Sequence, residues 1–300
     1  MKILLTGSNG QVGFELQKKL SALGEVIATD REELDLTNLN AIRTFIDHTR
    51  PDIIINPAAY TAVDKAESEP ELAYQINTLA PEVLADKARE LDIPLIHFST
   101  DYVFDGLKKD AYIETDLTNP QSVYGKTKCE GEEKIRTHTK HIILRTSWVF
   151  GVHGNNFLKT MLRLITDKES LNIVSDQWGS PASASMLSDV TFKIIDGILK
   201  NKNFNDYGTY HVTSDGETNW QQYASLIASE LIKLNVKIKC GPDQIHSILT
   251  SQYPTAAKRP LNSRLNTEKL KETFVLDLPD WEDEVKKHVK ILSTLGIKQP

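Results

Sequence analysis

The 300-residue sequence predicts an α/β protein: a doubly wound parallel sheet carrying a smaller α/β domain. Short apolar runs alternate with helix-like segments from residue 2 to about 150. A glycine-rich turn follows the first of those runs directly, and the alternation weakens after about residue 150. Buried parallel strands read as short continuous apolar runs, and joining them in parallel requires crossover helices, which is the pattern here.

The elements follow in order. Strands are expected near Ile3–Leu5, Val26–Ala28, Ile53–Asn56, Leu95–Ser99 and Ile142–Thr146. Helical spacing occupies Val12–Leu23, Leu39–Thr49, Pro70–Arg89 and Ser122–Arg136, with Thr37 and Ser122 as expected N-caps. Beyond a Gly- and Asn-rich loop at Gly151–Asn156, helices are expected at Phe157–Ile165, Met186–Leu199 and Trp220–Leu234. A strand is expected at Thr209–Thr213 and a proline-bounded polar loop at Pro254–Arg264. The expected division is residues 1–150 as nucleotide domain, with a return segment around 186–214, and 151–185 plus 215–300 as substrate domain. No internal repeat or low-complexity tract is present.

Composition excludes several classes. The formal charge of −6 offers no broad basic surface for nucleic acid, so an anionic ligand needs a local cationic pocket. Cys129 and Cys240 cannot make a multi-bridge framework, and no metal-type Cys/His spacing surrounds them. A reducing cytoplasm fits this usage. Ile3–Leu5 is too short for a signal segment or membrane span, and no membrane association is expected.

Thr6-Gly7-Ser8-Asn9-Gly10-Gln11-Val12-Gly13 sits between the first strand and first helix, the context of a Rossmann dinucleotide cradle. Gly7 permits the tight turn, Gly10 lets backbone approach a pyrophosphate, and Gly13 allows close helix–strand packing. The helix N-terminus presents free N–H groups. Asp30 ends the second strand, where a carboxylate reads the adenosine ribose, whereas Arg31 beside it could pair with an NADP 2′-phosphate or be a solvated loop charge. NADH and NADPH both stay open. Pro57-Ala58-Ala59 after the third strand would let a cofactor lie against backbone.

Tyr124 and Lys128 are four residues apart, hence on one helix face. A phenol is a poor acid–base group at neutral pH, and an adjacent ammonium is expected to lower its pKa, making Lys128 both tuner and ribose anchor. Ser99-Thr100-Asp101-Tyr102 lies at the carboxyl end of a strand, where open α/β sheets bind ligands, and Thr100 could polarise a substrate carbonyl with Tyr124. His97 reads as a packed structural histidine, and Thr100 and Asp101 also suit an ordinary turn.

The stretches TGSNGQVG, NPAAYTAVDKAESEPE, FSTDYVFDG, NPQSVYGKTKCEGE, RTSWVFG, GNNFLKTMLRL, DQWGSPAS and RPLNSRLNTEKL resemble, in order and over nearly the whole chain, those of the dTDP-4-dehydrorhamnose reductase family, extended short-chain dehydrogenases/reductases. The resemblance implies NADPH or NADH as hydride donor, Tyr124 as proton donor to a 4-keto oxygen, and Lys128 and Thr100 as its helpers. It implies a role in dTDP-rhamnose and polysaccharide biosynthesis. It also implies that Gly10, Gln11 and Val12 meet the pyrophosphate, that Asp30, Asp35, Leu36, Ala59, Tyr60, Thr61 and Phe98 line the cofactor site, and that Thr100, Asp101 and Trp148 face the sugar. Read without the resemblance, Trp148 is a core aromatic. Some family members hold a divalent cation such as Mg at a homodimer interface through acidic side chains. Glu15 matches one such position, but Ser185 occupies another, and a hydroxyl poorly replaces a carboxylate on a hard cation.

Two rivals carry different chemistry. A nucleotide-sugar dehydratase or epimerase of the same fold resembles this strand end but carries Thr-Asp-Glu, where Tyr102 stands here. A non-catalytic subunit resembling the regulatory subunit of methionine adenosyltransferase keeps YGKTK but carries an extension before the first strand, which here begins at Lys2. Another nucleotide-sugar 4-ketoreductase also remains. For the diphosphate, Lys258-Arg259-Pro260 and Arg264 supply the local cations. Arg259 is the expected grip because its planar fork binds phosphate bidentately, the alternative being a solvated basic loop.

Overall fold

The computed structural model describes residues 1–296. Its centre is a six-stranded parallel sheet, β1 (Lys2–Leu5), β2 (Glu25–Ala28), β3 (Ile53–Asn56), β4 (Leu95–Thr100), β5 (His141–Thr146) and β6 (Gly208–His211), in the order β6-β5-β4-β3-β1-β2. The chain runs outward from β1 to β2, then resumes on β1's other side with β3. That reversal leaves a crevice at the carboxyl ends of β1 and β3.

Strand periodicity sorts the side chains onto two faces. Ile3, Leu5, Ile53, Ile55, Ile96 and Leu144 enter one core, against α1 (Gln11–Leu20) and a helix at Ala184–Lys200. Leu4, Ile54, Leu95 and Ile143 enter the other, against α2 (Leu39–Thr49) and helices at 80–91 and 123–135. Each fully buried Ile or Leu contributes about 1.5–3 kcal/mol. A third cluster joins helices Phe157–Asp167, Trp220–Lys233 and Trp281–Thr294 to the parallel pair Leu171–Val174 and Ile245–Ile248. Between its segments, residues 184–211 return to the sheet as a helix and β6.

Local departures from expectation have identifiable causes. Thr37 is not the α2 cap: its N–H and hydroxyl both donate to Asp35, and Asn38 Oδ1 accepts from Ala41 N at 3.0 Å instead. The helix expected over Pro70–Arg89 is three pieces, α3 (Pro70–Tyr74), a π-turn (Gln75–Leu79) and α4 (Ala80–Leu91). Pro81 lacks an N–H and its ring crowds the carbonyl four residues back, that of Asn77, so the ladder bulges there. The helices Glu268–Phe274 and Trp281–Thr294 were not anticipated, although Asp280 caps the second and Glu282, Asp283 and Glu284 fill its first turn.

Helix α5 (Val123–Ile135) starts on Ser122, whose Oγ accepts from Gly125 N at 3.1 Å, as the sequence predicts. It is clamped to the sheet by an ion pair: Arg145 on β5 donates Nε and Nη2 to Glu132 Oε1 and Oε2 at 2.9 and 2.7 Å, and both side chains are essentially unexposed. Removing one partner of such a pair leaves the other charge buried alone. Glu132→Ala is therefore expected to cost about 3–5 kcal/mol of stability, read as a fall in the urea midpoint without a change in slope. A cost below about 1 kcal/mol would contradict the clamp.

Candidate active site

A cleft of about 790 Å³ opens along the carboxyl edge of the sheet. At one end Gly7 has φ +61°, and a Cβ there would sit 2.9 Å from Ala58. A Cβ on Gly13 would lie 2.0 Å from Gly7 O, so helix and turn pack as only glycine allows. Gly10 caps α1 with no side chain over its first N–H groups, leaving them for an anion. Gln11 reaches away, its Oε1 accepting from Asn156 Nδ2 at 2.8 Å.

Asp30 stands at the cleft's edge, with Oδ1 accepting from Glu32 N at 2.8 Å and Oδ2 from Asn9 Nδ2. The Glu32 N–H, then Glu33, hold its carboxyl below its ordinary value. Arg31, Asp35, Leu36, Ala59, Tyr60, Thr61 and Phe98 also line the cleft. Asp35 is fixed by Thr37, whose backbone N–H is the main cause of its lowered pKa. This end fits a dinucleotide: tight glycines, free N–H groups, small side chains and an acidic group at the end of β2.

Tyr124 and Lys128 emerge from the first turns of α5 into the middle of the cleft. A Cβ on Gly125 would be 2.3 Å from Tyr102 O, so glycine lets the helix press against the turn after β4. Burial pushes the phenol of Tyr124 up to about 12, partly offset by the Thr100 hydroxyl. The expected lowering by Lys128 is not found. The Lys128 nitrogen faces Phe98 O at 2.6 Å and His97 Nε2 at 3.0 Å, and burial lowers its own pKa to about 7. Thr100 Oγ1 donates to Asp101 Oδ1 at 3.0 Å rather than into the cleft. Among the described residues, Asp101 Oδ2 and Ser99 Oγ are buried without a partner. Burial raises Asp101 to about 6 against the nearby Ser263 and Thr100 hydroxyls.

At the far end Trp148 lies in the left-handed region, φ 48°, with its indole on Gly179 and stacked on Trp220 at 3.7 Å. Trp220 is fixed by its Nε1–H, donated to Gln177 Oε1 at 3.0 Å. Arg259, the expected diphosphate grip, is not among the residues that line the cleft. Its fork is filled by Asp64, with Nη1 and Nη2 donating at 2.9 and 2.7 Å, because a half-buried guanidinium needs a counter-charge.

Sequence reasoning missed three contributors. Asn77, in the π-turn, accepts from Tyr60 N at 2.8 Å and donates to Thr127 Oγ1 at 3.2 Å. Pro81, four residues on, was the available signal. Trp220 stood at the helix start expected there, but its partner lies 72 positions earlier. His97 is buried as expected, yet it bonds Lys128. At the position where some family members carry an acidic cation ligand, Ser185 Oγ lies 3.1 Å from Ser183 Oγ.

Fold and site together define an extended short-chain dehydrogenase/reductase: a dinucleotide cradle, and a Tyr–Lys pair one helical turn apart with a threonine beside the phenol. The family model described as the RmlD substrate binding domain matches residues 1–294, and the chain belongs to that family. It is 44% identical to the dTDP-4-dehydrorhamnose reductase of Escherichia coli K12, across 98% of this chain and 99% of that protein. The spore coat polysaccharide biosynthesis protein SpsK of Bacillus subtilis is 36% identical across 91% of this chain and 92% of its own. A crystal structure of a dTDP-4-dehydrorhamnose reductase from Clostridium acetobutylicum superposes with TM-score 0.88 at 40% identity, covering 98% of this chain and all of that one. The Bacillus anthracis enzyme, crystallised with NADP, gives 0.86 at 34%, covering 97% and 99%.

The raised carboxyl of Asp101 has a thermodynamic signature. Between its ordinary 3.8 and about 6 the folded chain binds more protons than the unfolded one, so Asp101 lowers stability as pH rises through that window. Asp101→Asn removes this dependence. The variant's stability relative to the parent is expected to improve by about 2–3 kcal/mol between pH 3.5 and pH 7.5, measured by urea unfolding at each pH. A difference independent of pH would show that folding leaves the Asp101 carboxyl unshifted.

Proposed function

We propose that this chain reduces the 4-keto group of dTDP-4-dehydro-6-deoxy-L-mannose to give dTDP-L-rhamnose, using NADPH or NADH. The observation that carries the reading is the convergence of Tyr124, Lys128 and Thr100 on the cleft whose other end is the glycine cradle. When bound there, the dinucleotide supplies the hydride. Tyr124, protonated at any physiological pH because burial holds its phenol high, keeps a proton for the carbonyl oxygen. Lys128, buried behind it, supplies positive charge beside the phenolate that forms. Thr100 turns its hydroxyl from Asp101 to the substrate oxygen, and Asp101 Oδ2 accepts from a sugar hydroxyl. Tyr102 stands where a dehydratase has glutamate, which leaves no second carboxylic acid for water loss.

The partition proposed is residues 1–150 with 186–214 for the cofactor, and 151–185 with 215–300 for the sugar nucleotide, with Trp148 and Trp220 at the join. The buried, free Cys129 and Cys240 suit a reducing cytoplasm. The direct test is NADPH oxidation, followed by absorbance, with the 4-keto sugar nucleotide present and absent. No substrate-dependent oxidation would sink the reading.

Tyr124→Phe is expected to lower kcat by about 10²–10⁴ while NADPH affinity, measured by fluorescence titration, stays within about twofold. Turnover within threefold of the parent would remove Tyr124 from the reaction.

Arg259, near Tyr102 and oriented by Asp64, is proposed to grip the substrate's diphosphate with the face Asp64 leaves free. Arg259→Ala should raise KM for the sugar nucleotide about ten- to a hundredfold and leave NADPH affinity unchanged. An unaltered KM rules it out.

A further inference from the structure

We propose that His97 is a positioning residue for Lys128: its Nε2 accepts one hydrogen of the Lys128 ammonium, Phe98 O accepts a second, and the third is left to face the cleft. This deepens the roles given above to Tyr124 and Lys128 and rests on them. An ammonium carries three donors and no acceptor, so a buried one is directed by its acceptors. Lys128 Nζ has two, His97 Nε2 at 3.0 Å and Phe98 O at 2.6 Å, both supplied by β4 beneath it. Neither can follow the lysine, because one is backbone and the other a fully buried ring.

The ring is held in turn. His97 Nδ1 lies 3.0 Å from the Asn56 amide nitrogen, and Asn56 Oδ1 accepts from Thr6 Oγ1 at 2.6 Å. A polar chain thus crosses three neighbouring strands, from Thr6 at the start of the glycine cradle, through Asn56 on β3, to His97 on β4 and Lys128. Burial keeps the imidazole neutral, so it carries one hydrogen. Which nitrogen bears it follows the lysine. With the amide nitrogen of Asn56 toward Nδ1, the hydrogen sits on Nε2 and Lys128 is the neutral amine. When Lys128 is charged, Nε2 accepts, Nδ1 carries the hydrogen, and a half-turn of the Asn56 amide presents its oxygen to it. Both charge states are populated near neutrality, since burial brings Lys128 to about 7. Hydrogen bonds to charged groups are the stronger kind, so the net effect of His97 is to favour the ammonium.

The other ionisable groups around Lys128 are few. Glu132 on the same helix is neutralised by Arg145 of β5 and by Arg136, and Tyr124 and Asp101 share the cleft. Asn56 and Asn77, from the elements packed behind, are uncharged.

Two measurements decide the matter. The first is kcat against pH for the parent and for His97→Leu, His97→Gln and Lys128→Met. The alkaline limb of His97→Leu is expected about one pH unit below the parent's, with activity recovered by acidifying; His97→Gln, which keeps an acceptor near the Nε2 position, should return most of that shift. An unmoved limb in His97→Leu, where Lys128→Met shows that Lys128 governs it, overturns the inference and leaves the role of Lys128 intact. Unchanged turnover in Lys128→Met overturns that role instead. The second needs neither activity nor a variant that folds: ¹⁵N spectroscopy of the native chain should find His97 protonated at Nδ1 at pH 6 and at Nε2 above the alkaline limb. A hydrogen on Nε2 at pH 6, or one tautomer throughout, overturns the inference.

Discussion

Lys128 is 1% exposed, and a buried ammonium must find acceptors or give up its charge. Much of the site follows from how that demand is met. The acceptors come from β4, so the helix bearing Lys128 has to lie directly over that strand. The same closeness leaves Tyr124 half-buried on the preceding turn, and that desolvation raises its phenol. A surface helix with the same Tyr–Lys spacing would leave both groups solvated, near ordinary pKa values and without fixed aim. Spacing alone therefore defines a pair; depth gives it chemistry.

Depth is set by residues other than Tyr124 and Lys128 themselves. Gly125 and Gly131 remove the Cβ atoms that would strike Tyr102 O at 2.3 Å and Asn77 O at 2.1 Å, letting α5 settle on the turn after β4 and on the π-turn. That π-turn exists because Pro81 frees the Asn77 carbonyl. The Glu132–Arg145 pair then fixes the helix against β5 where apolar packing alone would permit sliding. Such a pair is weak support for net stability, since desolvating two charges offsets their attraction, but it specifies one register.

The fold was legible in the sequence because strand and crossover patterns are local: Ile3–Leu5, Ile53–Asn56 and Ile142–Thr146 fall inside observed strands, and the glycine turn sits where its spacing puts it. Tyr124, Lys128, Asp101 and Trp148 were also nameable, and the structure brings all four to one cleft. What stayed hidden depends on contacts between distant positions. The partner of Arg259 is Asp64, 195 positions away, so a fork that reads as free is filled. His97 reads as a core histidine because nothing in its neighbourhood announces Lys128, 31 positions later. The phenol's direction of shift was misjudged for the same reason: the ammonium is visible in sequence, the burial is not.

The boundary drawn at residue 150 runs through the cleft, and the contacts there explain why both sides are needed to form it. The segment 151–156 belongs to the second cluster, since Asn156 caps the helix Phe157–Asp167. Yet Asn156 also donates to Gln11 at the mouth of the cradle, and His153 stacks on Phe14 at 4.1 Å and reaches Asn9 O at 2.9 Å. One short loop thus ties the glycine turn to the helix whose Phe157 packs on Trp220. Trp148 makes the reciprocal link, leaving the end of β5 in a left-handed conformation to stack on that same Trp220. A non-glycine residue held at positive φ costs about 1–3 kcal/mol and persists only where its surroundings over-determine it. Here the flat face of Gly179 below and the second indole above do so. The Trp148 end of the cleft is therefore shaped by contacts between residues far apart in the chain, which is why neither half of the chain, taken alone, spells it out.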